Sequence, residues 1–188
     1  MTGFAGAAGL PGSAPRSASE AAEADEVDRI VAAWQRERPD LDLAPLEVLS
    51  RVSRLARHLD RFRRTAFAEH DLETWEFDVL AALRRAGPPY RLSPGQLATE
   101  TLVASGTMTN RIDRLQARSM VSREPDPADG RGVLVSLTAT GRRTVDDALA
   151  SLLEHEWALL TTLDDDDRHH LAALLRALAL GLGTTTAT

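Results

Sequence analysis

Residues 93–138 read SPGQLATETLVASGTMTNRIDRLQARSMVSREPDPADGRGVLVSLT, and the remaining sequence is organised around this stretch. Ser93-Pro94-Gly95-Gln96 is a helix start. Ser serves as N-cap, Pro occupies the first helical position, and Gln is spaced to close a capping box. A short helix from Pro94 to about Glu100 follows, then a turn over Thr101–Ala104. A second helix runs from about Ser105 to Arg118, with Met108, Ile112 and Leu115 at the three- and four-residue spacing of one apolar face. Val121–Glu124 has strand character, and Pro125 to Gly132 is all turn chemistry. Val133–Leu137 returns as a second strand, which makes a hairpin.

Two short helices, a tight turn and a hairpin with an arginine at its tip form a winged helix-turn-helix. Its second helix is the one that enters a DNA major groove. The outward positions of that helix are Ser105, Thr107, Thr109, Asn110 and Arg114. Hydroxyls, an amide and a guanidinium are the groups that bond phosphates and base edges. Arg131, on the hairpin turn, suits an adjacent minor groove, whose negative potential attracts guanidinium groups.

Outward from this core the chain is helical. Residues 1–24 are rich in Ala, Gly, Ser and Pro and read as a disordered tail. Residues 25–44 hold an extra helix with Val27, Ile30, Val31 and Trp34 on one face, stopped by Pro39. Residues 45–70 hold a long helix. Leu49, Val52, Leu55, Leu59 and Phe62 are its expected buried stripe, and Arg51, Arg54, Arg57, Arg61 and Arg64 its solvated sides. Thr74 is the expected N-cap of a helix carrying Trp75, Val79, Leu80 and Leu83, which ends at Arg84-Arg85, Gly87 and Pro88-Pro89. The winged region spans residues 71–138. Two further helices fill residues 139–183, the second capped by Asp164, with a short tail at 184–188. The fold class is mainly α with a small β-hairpin wing.

Charge agrees with this layout once it is localised. The chain has 188 residues and a net charge of −6, which on its face disfavours a nucleic-acid partner. All 22 basic residues are arginine. Residues 91–143 carry eight arginines against five acids, whereas residues 144–188 carry two against eight. The positive charge is central and the acids are peripheral. The chain contains no cysteine, which excludes disulfides, thiolate metal sites and thiol nucleophiles. No apolar run approaches membrane-spanning length and no signal layout is evident, so a cytoplasmic protein is expected, without cofactor or metal. An enzyme would have to draw on His58, His70, His155, His169 and His170. No metal-binding helical histidine pair, phosphate loop or nucleophile elbow accompanies them. The adjacent His169 and His170 point to different sides of a helix. The other alternative is a winged protein-interaction module that has lost regulated DNA binding.

The sequence also resembles the MarR family of transcriptional regulators. Asp129-Gly130-Arg131 followed by Leu137-Thr138 is similar to the family's wing pattern of D-x-R and a terminal Leu-Thr. Leu97-Ala98, Ser105 to Leu115 and Val121-Ser122-Arg123 lie where the family places its DNA-binding helices and first wing strand. The family usually has Gly-Leu where this chain has Ser119-Met120. The resemblance implies a homodimer held by the N- and C-terminal helices, with each winged domain reading half of a palindromic operator and Asp129 joining Arg131 in the wing. The extra N-terminal helix is similar to that of the urate-responsive, PecS-like branch. This likeness implies a repressor released by a small anion such as urate, another purine or a tricarboxylate. The matching ligand positions are Trp34, Asp78, Arg111 and Arg123, while the branch's pocket Asn is replaced near Ala86. The competing assignment makes Trp34 a core residue, pairs Asp78 with Arg111, and sets Arg123 against phosphate.

Overall fold

The computed structural model describes residues 24–127 and 132–185, so the wing-tip residues Asp129 and Arg131 and the tail through residue 23 lie outside the described residues. The chain divides into two units, Met1–Leu55 and Ala56–Thr188. In the first, α1 (Glu26–Glu37) starts at a reciprocal capping box. Asp25 accepts from the Asp28 N–H, and Asp28 accepts from the Asp25 N–H, each at 2.9 Å. The first part of α2 (Ala44–Ala68) also lies in this unit. Its Arg51 bonds Asp25 at 2.8 Å and Asp28 at 2.6 Å, and Arg54 bonds Glu26 at 2.6 Å. These two arginines therefore clamp α1 rather than standing in solvent. The Arg51 guanidinium holds the Asp25 carboxyl down at about 2.

The second unit continues with α3 (Thr74–Arg85), β1 (Arg91–Leu92), α4 (Pro94–Glu100), α5 (Ser105–Ala117), β2 (Val121–Pro125), β3 (Val133–Leu137), α6 (Ala139–Leu160) and α7 (Asp165–Thr185). The Ser93 capping box of α4 forms as its sequence predicts: Ser93 Oγ accepts from the Gln96 N–H and Gln96 returns to the Ser93 N–H. The N-cap of α3 is Glu73 rather than Thr74, which is the first helical residue. Glu76, three residues on from Glu73, is the reason: its side chain accepts from the Glu73 N–H at 2.9 Å.

The core gathers Val79, Leu80 and Leu83 of α3, Leu97 of α4, Met108, Ile112 and Leu115 of α5, Val121 of β2, Val135 of β3, and Val145, Ala148 and Leu152 of α6. Phe67 stacks on Phe77 with ring centroids 4.0 Å apart, tying the end of α2 to α3. The stripe expected to be buried along α2 is not. Leu49, Val52, Leu55, Leu59 and Phe62 are all exposed, because no described element of the chain covers that face.

The wing is part of a three-stranded antiparallel sheet in the order β1-β3-β2, with Val121 opposite Leu137 and Pro125 opposite Val133. β1 has no counterpart in the sequence reading. It pairs Arg91 with Ser136 and Leu92 with Val135, placing β3 in the middle. At the base of the wing, Thr138 caps α6 by accepting from the Gly141 N–H at 3.0 Å, and its hydroxyl donates to the Met120 carbonyl at 3.0 Å. Ser119 ends α5 in the left-handed region with φ of 57°. There a helix-terminating glycine would sit without strain.

Candidate nucleic-acid interface and adjoining groove

α5 presents Ser105, Thr107, Thr109 and Asn110 to solvent, on the face opposite the fully buried Met108, Ile112 and Leu115. The helix begins after Ala104, whose side chain offers no cap, so its first-turn N–H groups have no side-chain acceptor at the N-cap. Exposed hydroxyls, an amide and free helix-start donors suit a polyanionic backbone and base edges.

Arg114 is exposed as expected, but it is engaged. Its Nη2 donates to Glu73 Oε1 at 2.7 Å, and its guanidinium lies 4.7 Å from the Trp75 ring centre. Trp75 Nε1 donates to the other Glu73 oxygen at 2.7 Å. Both bonds favour the ionised carboxylate, so the Glu73 carboxyl titrates below its ordinary range, the Trp75 bond contributing most. Arg111 covers the same indole at 5.4 Å, so Trp75 has two guanidinium neighbours.

One layer further in, Glu76 is the single buried charged side chain among the described residues. It accepts from Arg118 Nη1 at 2.7 Å, and Arg118 also donates to the Asp71 carbonyl at 2.6 Å. Arg118 is the C-cap of α5, so this pair fastens the end of that helix to the start of α3. Removing Arg118 would strand a desolvated carboxylate, whereas Arg118 without Glu76 keeps its bonds to Asp71.

Behind the exposed helix lies a groove of about 580 Å³, lined by Arg64, Ala68, Leu72, Glu73, Thr74, Trp75, Asp78 and Arg111. Two of the four expected ligand residues, Asp78 and Arg111, meet here. They are not each other's ion pair: Asp78 binds Arg63 at 3.3 Å, and Arg111 stacks on Trp75. Arg123 does not line the groove. It donates to Gln116 Oε1 at 2.8 Å and to Asp113 Oδ1 at 2.5 Å, bracing β2 against α5. Trp34 lies in the first unit and is half-exposed rather than core. A second cavity of about 400 Å³ adjoins Glu73, Glu76, Arg114 and Arg118. Arg64, Glu73 and Trp75 escaped the sequence reading as site residues. The Glu73-x-x-Glu76 spacing was the visible signal for a cap, but nothing local marks its pairing with a helix 41 residues downstream.

Residues 70–132 match the MarR family. The chain is 37% identical over 149 residues to the HTH-type transcriptional regulator PecS of Dickeya dadantii, covering 79% of this chain and 90% of that protein. This chain belongs to the MarR family. Among solved structures it is similar to a mutant form of Escherichia coli MarR complexed with operator DNA. The TM-score is 0.60 at 26% identity, over 77% of this chain and 96% of that one. It is also similar to Bordetella bronchiseptica BpsR, whose structure is described as a mechanism for regulation of DNA binding by 6-hydroxynicotinic acid. There the TM-score is 0.59 at 27% identity, over 70% of this chain and 92% of that one. As a MarR-family protein it is a DNA-binding transcriptional regulator of winged helix-turn-helix fold and not an enzyme. No described helix is long and apolar enough to cross a membrane.

Proposed function

We propose that this MarR-family protein is a cytoplasmic, homodimeric repressor that binds a palindromic operator and releases it when a small anion enters the groove between α3 and α5. The observation that carries this reading is the groove itself. Arg64, Arg111, Trp75 and Asp78 converge on one cavity directly behind the helix that faces DNA. Guanidinium groups beside an indole favour a flat, anionic ligand, for which urate, another purine, a tricarboxylate and a hydroxylated nicotinate are the candidates to compare. The relative described with 6-hydroxynicotinic acid motivates the last of these. Trp34 and Arg123 are assigned to the effector by the PecS-like resemblance alone.

On the DNA side, Ser105, Thr107, Thr109, Asn110 and Arg114 of α5 contact the operator, together with Asp129 and Arg131 of the wing. Two copies are needed to read a palindrome. Exposed leucines along α6 and α7 support assembly through residues 139–183 and the helix at 45–70. An anion seated beside Arg111 meets the Asp78 carboxylate on α3. Coupling to DNA requires that its affinity differ between the operator-bound and free arrangements of that helix.

The test is a gel shift with duplex DNA from upstream of the protein's own gene, repeated with urate, xanthine, citrate, trans-aconitate and 6-hydroxynicotinate. The expected outcome is a sequence-specific shift that at least one of these anions reverses, with Arg111→Ala retaining the shift but losing the reversal. A shift insensitive to every anion removes the effector from the reading, and no specific shift removes the operator.

A further inference from the structure

Arg114 sits on the DNA-facing helix with its charge already answered from within the protein. The partner is Glu73, at 2.7 Å, and the side chains of both are more than half exposed, at 54% and 58%. The Glu73 carboxylate is held at both oxygens, by Arg114 on one and the Trp75 indole N–H on the other. Trp75 in turn lies under the Arg114 guanidinium, closing a three-member cluster. The main chain at Glu73 is secured separately, because its N–H is bonded by Glu76. Glu73 is also the N-cap of α3 and a member of its capping box with Glu76, a role that Gln in its place can keep. Its carboxylate occupies one edge of the Arg114 guanidinium.

We propose that Glu73 is a positioning residue for operator binding: its carboxylate is an internal competitor that holds Arg114 against Trp75 until a DNA phosphate displaces it. This rests on the operator reading above. A carboxylate and a phosphate compete for the same edge of a guanidinium. An exposed pair of this kind is weak enough to exchange on binding. The competitor lowers affinity for duplexes that set a phosphate within reach of Arg114, because only these must break the pair. Because Glu73 and Trp75 also line the effector groove, the same cluster touches both faces of the regulator.

The experiment is a double-mutant cycle on the full-length protein. Glu73→Gln, Arg114→Ala and the double variant are titrated by fluorescence anisotropy against the upstream duplex and a random duplex over a salt series. Glu73→Gln is expected to bind the upstream duplex about two- to fivefold more tightly. Its plot of log affinity against log salt is expected to be steeper by about 0.9, one more phosphate being neutralised. The gain is expected to vanish when Arg114 is already Ala. Glu73→Asp, which keeps the charge but shortens the reach, is expected to move both readouts in the same direction by less. An unchanged or weaker Glu73→Gln with wild-type circular dichroism overturns the inference, as does an equal gain in the Arg114→Ala background, which would mark a general charge effect. If Glu73→Gln does not fold, a Glu73→Asp indistinguishable from wild type overturns it instead. A wild type that binds both duplexes equally overturns the operator reading and this inference together. A specific wild type with a flat cycle overturns this inference alone.

Discussion

Ile112 and Leu178 are both branched aliphatic residues on the apolar stripe of a helix, yet Ile112 is completely buried and Leu178 is 45% exposed. Ile112 lies in the winged core, where α3, α4, α5, the sheet and α6 supply every neighbour it needs. Leu178 lies on α7, which has no buried residue at all among the described ones. Its companions Leu171, Leu174, Leu175 and Leu182 stand at 41% to 73% exposure. A monomeric soluble protein rarely leaves so long an apolar stripe in water. The winged core is complete within one chain; the outer helix α7 leaves an apolar face uncovered, which is what the proposed homodimer would bury.

The largest expected effect comes from placing charge on that stripe. If the proposed homodimer forms through α7, Leu174→Asp with Leu178→Asp should convert it to a monomer by light scattering and cost affinity for a palindromic operator by orders of magnitude, since a palindrome needs two linked readers. The winged core of the monomer should still give its near-native circular dichroism. A double variant that remains dimeric would break the comparison. The two regions should also treat an added methyl in opposite ways. At Gly141, where α6 leaves the sheet, a Cβ would lie 2.1 Å from the Met120 carbonyl oxygen. Gly141→Ala is expected to destabilise the protein by about 3 kcal/mol in urea unfolding, through forced backbone movement. At Gly181 of α7 a Cβ meets nothing within 4 Å, and Gly181→Ala should stabilise by up to about 1 kcal/mol. Equal responses at the two sites would erase the distinction.

A smaller gain is expected at Ser119, whose φ of 57° is left-handed. Ser119→Gly should raise stability by up to about 1 kcal/mol, strain relief exceeding the added freedom of the unfolded chain. The smallest effect lies in the first unit. Asp25 titrates at about 2 in the folded chain, below its ordinary 3.8, chiefly through its bond to Arg51. A depressed acid contributes stability above its unfolded pKa and loses it as pH falls through the folded value. Protection of the α1 amides against hydrogen exchange should therefore be constant above pH 4 and fall as pH drops toward 2. Arg51→Ala should weaken that dependence, leaving the part due to the Asp28 N–H.

The two short helices of the winged helix-turn-helix were the most legible elements. Ser93-Pro94 with Gln96 marks the start of α4 because cap chemistry is local, and the Met108, Ile112, Leu115 spacing marks the inner face of α5 because its neighbours lie in the same chain. The α2 stripe misled for the complementary reason. An amphipathic pattern reports that a face will be covered, not whether this chain or another covers it. β1 left no trace because two residues have no period, and its pairing with β3 joins positions more than forty residues apart. Of the groove residues, Asp78 and Arg111 were reached through the family likeness. Trp75 looked like ordinary core, since nothing adjacent to it in sequence announces the two arginines of α5.

The central position of β3 limits how such a regulator can be switched. Hydrogen-bonded on one side to the strand preceding α4 and on the other to the strand following α5, it cannot peel away without breaking two ladders. Wing and recognition helix are in that sense one stamp. On the proposed reading, an effector pressing on α3 would leave the stamp's relief unaltered and change only the distance between two impressions, and control would be exerted on spacing rather than on shape.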